Sequence, residues 1–145
     1  MAGFTNKGKA KLLRAFFQSE TAPTNVYVYL VTGAVTPTAD TNTLSQLTEI
    51  AETGKEIQLS LNTTDFPTSV SGSEDDTNDS GIMRIKAIVI AGAITAASYV
   101  ILTDDNVTEA DRIVYAYWSL GSIRTIAASE SLTIAGLEFN ILETA

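Results

Sequence analysis

Short stretches of alternating apolar residues, separated by turn-forming residues, recur through most of the 145-residue chain. In the segment 25–32, Val26, Val28 and Leu30 fall at every second position, which is the period of a β-strand. The pattern predicts a mainly β protein with about six or seven strands, stacked as an antiparallel β-sandwich. Turn signals about every 8–20 residues separate the further predicted strands: 56–61, 82–90, 99–104, 112–120 and 131–143.

One segment near the N-terminus has the period of a helix instead. In the segment 6–18, Asn6 is the predicted N-cap, and the residues that follow gather apolar side chains on one face of the helix. We expect this face to pack against the rest of the protein, because a helix of a small domain usually buries its apolar side. The apolar face consists of four side chains: Leu12, Leu13, Phe16 and Phe17.

A second, shorter helix is predicted farther along the chain, at 43–52. Leu44, Leu47 and Ile50 have helical spacing there, and Thr43 is a suitable cap in front of them. This segment and the first helix are the two places where the apolar period departs from that of a strand. The prediction is therefore one N-terminal helix and one further short helix beside the β-sandwich.

The remaining polar segments predict loops and set the domain organisation. Turn-forming and acidic residues mark 33–42 and 69–81 as loops, and Gly136 is predicted to form a bulge within the last strand. The length is that of one ordinary domain. We therefore expect a single domain, 1–145, in which a helical segment precedes the sandwich: 1–20 and 21–145.

The chain contains neither histidine nor cysteine. A Ser–His or Cys–His nucleophile pair is therefore impossible, and a zinc site would have to use carboxylates alone. The formal net charge of −8 argues against the binding of nucleic acid, which needs a broad basic surface. The longest apolar stretch, 87–97, is too short to span a bilayer. We expect a non-enzymatic protein without a cofactor or metal that binds neither nucleic acid nor a membrane.

Positive charge is concentrated in the first helix. Four of the nine basic residues lie within 6–17, whereas the rest of the chain carries five basic and seventeen acidic side chains. Lys7, Lys11 and Arg14 form one stripe opposite the apolar face. A solvated face is the simplest interpretation, and the alternative is contact with an acidic partner such as a neighbouring subunit. Lys7, Lys11 and Arg14 are therefore the candidate partner-binding residues.

An acidic stretch in the predicted loop 69–81 resembles the start of a calcium-binding loop. Asp76, Asn78, Ser80 and Gly81 match the first ligand positions of an EF-hand. The twelfth position, where a bidentate glutamate belongs, is an alanine in an apolar strand, which excludes an EF-hand. We expect a solvated turn in which these side chains bond to their own backbone.

A second acidic group crowds the predicted hairpin loop between 99–104 and 112–120. Paired carboxylates of this kind carry out glycoside hydrolysis, provided that a cleft with aromatic platforms holds the sugar. Trp118 is the only tryptophan and lies on a strand. We expect a solubilising loop rather than an active site. The carboxylates concerned are Asp104, Asp105, Glu109 and Asp111.

Aromatic side chains are concentrated on strands that could belong to one sheet. Core packing and cross-strand pairing are the simpler interpretation, and an aromatic contact surface between subunits is the alternative. Hydrophobic residues make up 45% of this small chain, so one core is not expected to absorb them all. We therefore expect self-association as a trimer. The aromatic residues are Tyr27, Tyr29, Tyr115, Tyr117 and Trp118.

Six stretches of the chain occur together in a recognisable order: "TNKGKAKLLRAFF", "APTNVYVYLVT", "PTADTNTLSQLTEIA", "EDDTND", "YVILTDDNVTEADRIVYAYWSLGSIRT" and "SLTIAGLEFNI". In these stretches the chain resembles a family of small bacteriophage virion proteins. The resemblance runs from about residue 5 to 142 and is strongest at 36–51 and 99–125.

This resemblance implies a structural protein that is located in the virion and assembled in the host bacterial cytoplasm. The implied role is a head decoration or cement protein, which binds the major capsid protein or other virion proteins and reinforces the capsid lattice. Such proteins commonly sit as trimers at threefold positions. The alternatives are a tail, baseplate or fibre component and, on separate grounds, a carbohydrate-binding adhesin that uses the acidic loops and Trp118.

Overall fold

The computed structural model describes residues 2–49, 56–67, 73–75 and 80–142. Over these residues the protein is mainly β, with antiparallel sheets and one α-helix, which confirms the predicted mainly β fold class. The described elements are β1 (Ala2–Phe4), α1 (Asn6–Phe17), β2 (Asn25–Thr32), β3 (Ile57–Ser60), β4 (Ser73–Asp75), β5 (Ser80–Arg84), β6 (Ile88–Ala91), β7 (Ile94–Thr103), β8 (Val114–Ile126), β9 (Ser131–Ile134) and β10 (Glu138–Leu142).

A five-stranded antiparallel sheet forms the centre of the fold, with the strand order β1-β8-β7-β2-β3. Its middle is the long hairpin of β7 and β8, in which Val100 pairs with Trp118. The predicted hairpin with an acidic loop is thus confirmed. The two outermost strands, β1 and β3, contain three and four residues. β10, β5 and β4 form a second antiparallel sheet, and β6 pairs with β9 in a third.

The larger core lies between the five-stranded sheet and the β6–β9 sheet. The five-stranded sheet contributes Leu30 and Trp118, and the opposite sheet contributes Ile88 and Ile134. Trp118 also donates its indole N–H to the carbonyl of Glu138 at the start of β10, at 2.6 Å. Both smaller sheets are therefore held against the same large sheet, which gives a sandwich-like arrangement.

The opposite face of the five-stranded sheet carries a smaller core. Residues from the chain between β2 and β3 fold over this face and replace a second sheet there. Their leucines pack against side chains of β2, β7 and β8, so the middle of the central sheet is covered on both faces. The members of this cluster are Tyr29, Val31, Leu44, Leu47, Ile101, Val114 and Tyr117.

Two predicted strands are each divided between two sheets. The segment 82–90 was predicted as one strand and is instead β5 followed by β6. Between them, the Lys86 N–H donates to the carbonyl of Asp65 at 2.9 Å, outside either sheet. The segment 131–143 divides in the same way into β9 and β10. Gly136 lies in the irregular link between them with a φ of +69°, so it belongs to neither strand and does not form the predicted bulge.

The second predicted helix, 43–52, is wrong. The described part contains a single 3-10 turn at Leu44–Gln46. The Leu44 N–H donates to the carbonyl of Arg112 at 3.0 Å, so the backbone of this segment is bonded to the β7–β8 loop instead of to its own next turn. Tertiary hydrogen bonds and burial of the leucines override the helical spacing. Residues 50–52 lie outside the described residues.

The two predicted loops have different outcomes. Residues 33–42 contain neither helix nor strand, as predicted. The segment 69–81 was predicted to be a loop throughout, but Ser73–Asp75 form β4, and β5 begins at Ser80. β4 and the start of β5 pair with each other in the second sheet. An antiparallel sheet can leave one face in water, so polar residues can form a strand there. Residues 69–72 and 76–79 lie outside the described residues.

Candidate interaction surface at the N-terminal helix

α1 begins at a buried threonine. Thr5, rather than the predicted Asn6, is the N-cap, since its hydroxyl accepts the Gly8 N–H at 2.9 Å and also donates to the carbonyl of Val114. Asn6 is bonded elsewhere, because its backbone N–H donates to the carbonyl of Ala39 at 2.7 Å. These contacts fix the first turn of α1 on β8 and on the loop that follows β2.

Gly8 allows the first turn of α1 to approach the β8 backbone directly. A Cβ atom at this position would lie 2.6 Å from the carbonyl oxygen of Tyr115 and 2.7 Å from its Cα. Real Cβ atoms do not approach other atoms so closely, so only glycine fits without displacing the helix. From the sequence, this glycine weakens the prediction of a helix, whereas in the structure it determines where the helix is attached.

The predicted apolar face of α1 is exposed, and the expectation that it packs against the protein is wrong. Phe16 is 82% exposed, Phe17 is 75% exposed and Leu13 is 58% exposed. The reason is the anchoring at Gly8, because the helix side that contains Gly8 and Ala15 faces the protein. The two phenyl rings contact each other edge to face, with centroids 4.9 Å apart. An apolar patch therefore remains in water.

The basic stripe of α1 is partly paired within the chain. Lys11 and Arg14 both bond to the carboxylate of Glu20, and these bonds hold its pKa below the ordinary range. No carboxylate of the described residues lies within 4.0 Å of Lys7 or Lys9. Glu20 follows the helix, so the helical i, i+4 spacing that guides pair prediction does not reveal it.

A cavity of about 560 Å³ opens beside α1, on the side of the helix that faces the protein. Its wall combines the inner side of α1 with the ends of β1, β2, β7 and β8, and it is almost entirely apolar. Cavities of roughly 300–1,000 Å³ with apolar walls are the usual size of binding sites. The lining residues are Phe4, Lys11, Leu12, Ala15, Ala22, Pro23, Val26, Leu61, Asn62, Thr63, Phe66, Met83, Leu102 and Tyr115.

One of the residues that line this cavity has a buried polar atom without a hydrogen-bond partner among the described residues. Tyr115 is 6% exposed, and its hydroxyl is the buried side-chain atom concerned. Burial, followed by the charges of Asp104, Asp105 and Glu20, raises the pKa of Tyr115, so the hydroxyl keeps its proton. A buried donor without an acceptor is uncommon in proteins. Neither the cavity nor this hydroxyl could be predicted from the sequence, where Tyr115 is one of several strand aromatics.

Two acidic residues of the hairpin loop accept hydrogen bonds from the backbone. Asp104 accepts the Ile113 N–H at 2.9 Å across the loop. Asp105 accepts the N–H groups of Thr24 and Asn25, at 3.0 and 3.1 Å. Within the described residues, no three side chains of the ligating types are grouped so that they could hold a metal ion. Asp76 and Asn78 of the calcium hypothesis lie outside the described residues.

A buried arginine organises the far side of the hairpin loop. Arg112 is 9% exposed, and its guanidinium lies 3.9 Å from the centre of the Tyr27 ring. It also contacts the hydroxyl of Tyr29, which lies 2.8 Å from a carboxylate oxygen of Glu109. Core packing accounts for the buried members of the predicted aromatic set: Tyr29, Tyr115, Tyr117 and Trp118.

Three carboxyl groups, Glu49, Glu56 and Glu109, lie close enough to influence one another. A hydrogen bond with Glu109, together with burial, raises the pKa of Glu56, which lies 3.9 Å from the Arg112 guanidinium. Burial and the charges of Glu109 and Glu56 raise the pKa of Glu49. As the pH rises from the ordinary carboxyl pKa of 4.5 through the raised values, Glu49 and Glu56 therefore hold more protons in the folded than in the unfolded chain. The contribution of this cluster to the stability falls as the pH rises through this range.

The variant Glu56→Gln is expected to weaken this pH dependence. Its neutral amide can donate to Glu109, as the protonated Glu56 does, so its thermal midpoint should exceed that of the natural protein at pH 7.5 but not at pH 5. Asp111→Asn, an exposed substitution in the same loop, is the charge-matched control. Thermal unfolding across pH 5–8 makes the comparison. Equal slopes for Glu56→Gln and the natural protein would contradict the assignment.

Among the helices of the described residues, none is long and apolar enough to cross a membrane.

Comparisons with known proteins do not identify a relative. Comparison of the chain with models of protein families, with curated proteins and with solved structures finds no match. We therefore infer the function from the surface at α1 and from the sequence.

Proposed function

We propose that the protein is a non-enzymatic structural protein of a bacteriophage virion, a head decoration protein that attaches to the capsid lattice through the surface of α1. The observation that carries the proposal is the apolar patch of Leu12, Leu13, Phe16 and Phe17 left in water. Apolar patches of several hundred Å² on a folded domain mark protein interaction sites. The resemblance to small virion proteins supplies the kind of partner, namely the major capsid protein and other virion proteins.

The anchoring of α1 suits such a role. Thr5 and Gly8 fix the first turn to β8, so the exposed end of the helix is held on a rigid sheet. A preorganised surface binds without first losing conformational freedom. Lys7 and Lys9 add positive charge to the first half of α1 in a chain with a net charge of −8, and this charge favours an acidic partner surface.

Attachment in many copies would strengthen such a contact. A trimer places three α1 surfaces on one lattice position, and several weak contacts made together bind far more tightly than one. The tail, baseplate or fibre alternative uses the same surface and differs in copy number, which quantitative mass spectrometry of virions measures. The adhesin alternative loses its aromatic platform, since Trp118 is only 6% exposed.

The double variant Phe16→Ala/Phe17→Ala is expected to lose attachment while it keeps its fold. Both rings are exposed, so thermal stability should stay within about 0.5 kcal/mol of the natural protein. Occupancy on virions stripped of the protein should fall at least about tenfold, because central aromatic residues dominate protein interfaces. Val107→Ala, at a residue 99% exposed on the hairpin loop, is the matched control.

The role of the basic residues is tested separately. Lys7→Glu/Lys9→Glu should weaken attachment more at low than at high salt, because screening shortens the reach of exposed charges. Lys11 and Arg14 are left unchanged in this variant, because reversing them would break the pairs with Glu20. Equal occupancy of the natural protein and both double variants on stripped particles would reject the α1 surface as the attachment site.

A further inference from the structure

The cavity beside α1 connects the core of the protein with its surface. Val26 and Leu102, which are almost fully buried, belong to its wall, and so do Leu12 and Leu61, which are each about half exposed. Cavities with apolar walls hold water poorly and bind apolar molecules in its place. An occupant that is itself apolar would therefore be favoured, and it would also remove Leu12 and Leu61 from water.

The volume of the cavity sets the size of such an occupant. At about 30 Å³ for a group of the size of a water molecule, a volume of about 560 Å³ holds about 18 such groups. A flexible hydrocarbon chain of about 12–16 carbons with a small head group matches this volume. Because several elements of the fold form the wall together, a chain that can bend adapts to it more readily than a rigid ring system.

The cavity has positive charge beside its apolar wall. Among the described residues that line it, Lys11 alone is charged. Lys11 and Arg14 share one carboxylate, that of Glu20, so the three side chains together keep one positive charge. The Lys11 ammonium group has three donors, and the bond to Glu20 uses one of them. An anionic group beside Lys11 would therefore find both opposite charge and donors that Glu20 does not use.

The same wall disfavours two other occupants. An extended peptide brings backbone N–H and C=O groups into the cavity, and each such group buried without a partner costs free energy. The side-chain oxygen of Asn62, a polar wall residue, already accepts the N–H groups of Thr64 and Asp65. A second copy of α1, a helix with four basic residues, would meet like charge at Lys11.

We infer that the cavity beside α1 binds a single-chain fatty acid, whose hydrocarbon chain fills the cavity and whose carboxylate accepts a hydrogen bond from the Lys11 ammonium group. One chain and one acidic group match one cavity with one basic lining residue, whereas a phospholipid brings a second chain. The inference goes beyond the proposed function and does not depend on it, because Phe16 and Phe17 do not line the cavity.

Titration calorimetry of the full-length protein with octanoate, decanoate and dodecanoate, each below its micelle concentration, tests the inference. Dodecanoate should bind at one site per chain with a Kd below about 1 mM. The affinity should rise about fourfold for each added CH₂ group, the factor that corresponds to the burial of one such group. No saturable binding of dodecanoate up to about 1 mM overturns the inference, as does an affinity that does not rise with chain length.

A substitution in the wall locates the site. Ala22→Trp places an indole at an exposed residue of the cavity wall. It should lower the affinity for dodecanoate at least about tenfold, because the displacement of two CH₂ groups already corresponds to this factor. Val107→Trp, an equally bulky change at a residue 99% exposed on the hairpin loop, is the matched control and should bind as the natural protein does. Unchanged affinity in Ala22→Trp overturns the placement of the chain in this cavity.

The contact with Lys11 has a test of its own. Lys11→Met keeps an apolar side chain and loses the ammonium group, so decanoate should bind about two- to fivefold more weakly, the range for a partly exposed ion pair. The affinity for the uncharged 1-decanol should stay the same. Glu20→Gln removes the competing carboxylate and should tighten the binding of decanoate. Lys9→Met, at an exposed residue of α1 that does not line the cavity, is the charge-matched control. Decanoate affinities that are equal in Lys11→Met and Lys9→Met overturn the contact of the carboxylate with Lys11.

Discussion

Replacement of Trp118 by alanine is expected to lower the free energy of unfolding by about 3–5 kcal/mol, the usual range for the loss of a buried aromatic side chain. Trp118 is 6% exposed and belongs to the larger core, where it faces side chains of the β6–β9 sheet. Its indole N–H also donates to the carbonyl of Glu138. The substitution therefore weakens the contact of the central sheet with both smaller sheets. Urea unfolding followed by circular dichroism measures the change.

Two further variants separate the contributions of Trp118. Trp118→Phe keeps a ring in the core but loses the indole N–H, so it should cost about 1–3 kcal/mol, for the loss of one hydrogen bond together with some buried volume. Ile123 lies on the same strand, and its side chain is 69% exposed. The variant Ile123→Ala should therefore change the stability by less than about 0.5 kcal/mol. A Trp118→Ala variant as stable as Ile123→Ala would show that the sheets are not joined through this residue.

Gly8→Ala is the second substitution with a large expected effect, although alanine is the better helix former. In an exposed helix the change would add about 1 kcal/mol of stability. Here the new Cβ would lie 2.6 Å from the Tyr115 carbonyl oxygen, and both close contacts are to backbone, which cannot turn aside. We expect a net loss of about 1–3 kcal/mol, typical of overpacking at a tight contact. The same urea titration measures it.

The neighbouring residue provides a control for Gly8. Lys9→Ala is an exposed change in the same turn and should leave the stability unchanged or slightly higher. Because Gly8→Ala is expected to move α1 away from β8, it should also reduce the attachment to virions that we propose for the end of this helix. A Gly8→Ala protein with increased stability would mean that α1 does not pack on the Tyr115 backbone.

The sequence predicts what is local in the fold. The alternation of Val26, Val28 and Leu30 correctly indicates β2, and the spacing around Leu12 correctly indicates α1, because each pattern reports the period of its own backbone. Changes of sheet are not local. Residues 82–90 keep their apolar character while the chain passes from the second sheet to the third, so one continuous pattern corresponds to two strands.

The candidate surface was harder to predict for the same reason. Its position depends on Gly8 meeting the backbone of Tyr115, a contact between residues more than a hundred positions apart, which no local pattern reports. Lys11 and Arg14 belong to the predicted stripe of positive charge, but Glu20 pairs with them from beyond the helix end. Their role in binding a partner stays a prediction, as does that of Lys7.

The shortness of the outermost strands has a consequence for the proposed display in many copies. Within the described residues, β1 and β3 close the central sheet with three and four residues, so each edge offers few backbone groups to a neighbouring chain. Long open edges are the usual starting point of strand-to-strand aggregation. Crowded copies are thereby discouraged from merging their sheets into fibres. Contacts between them are left to side chains, which can fix a defined number of neighbours.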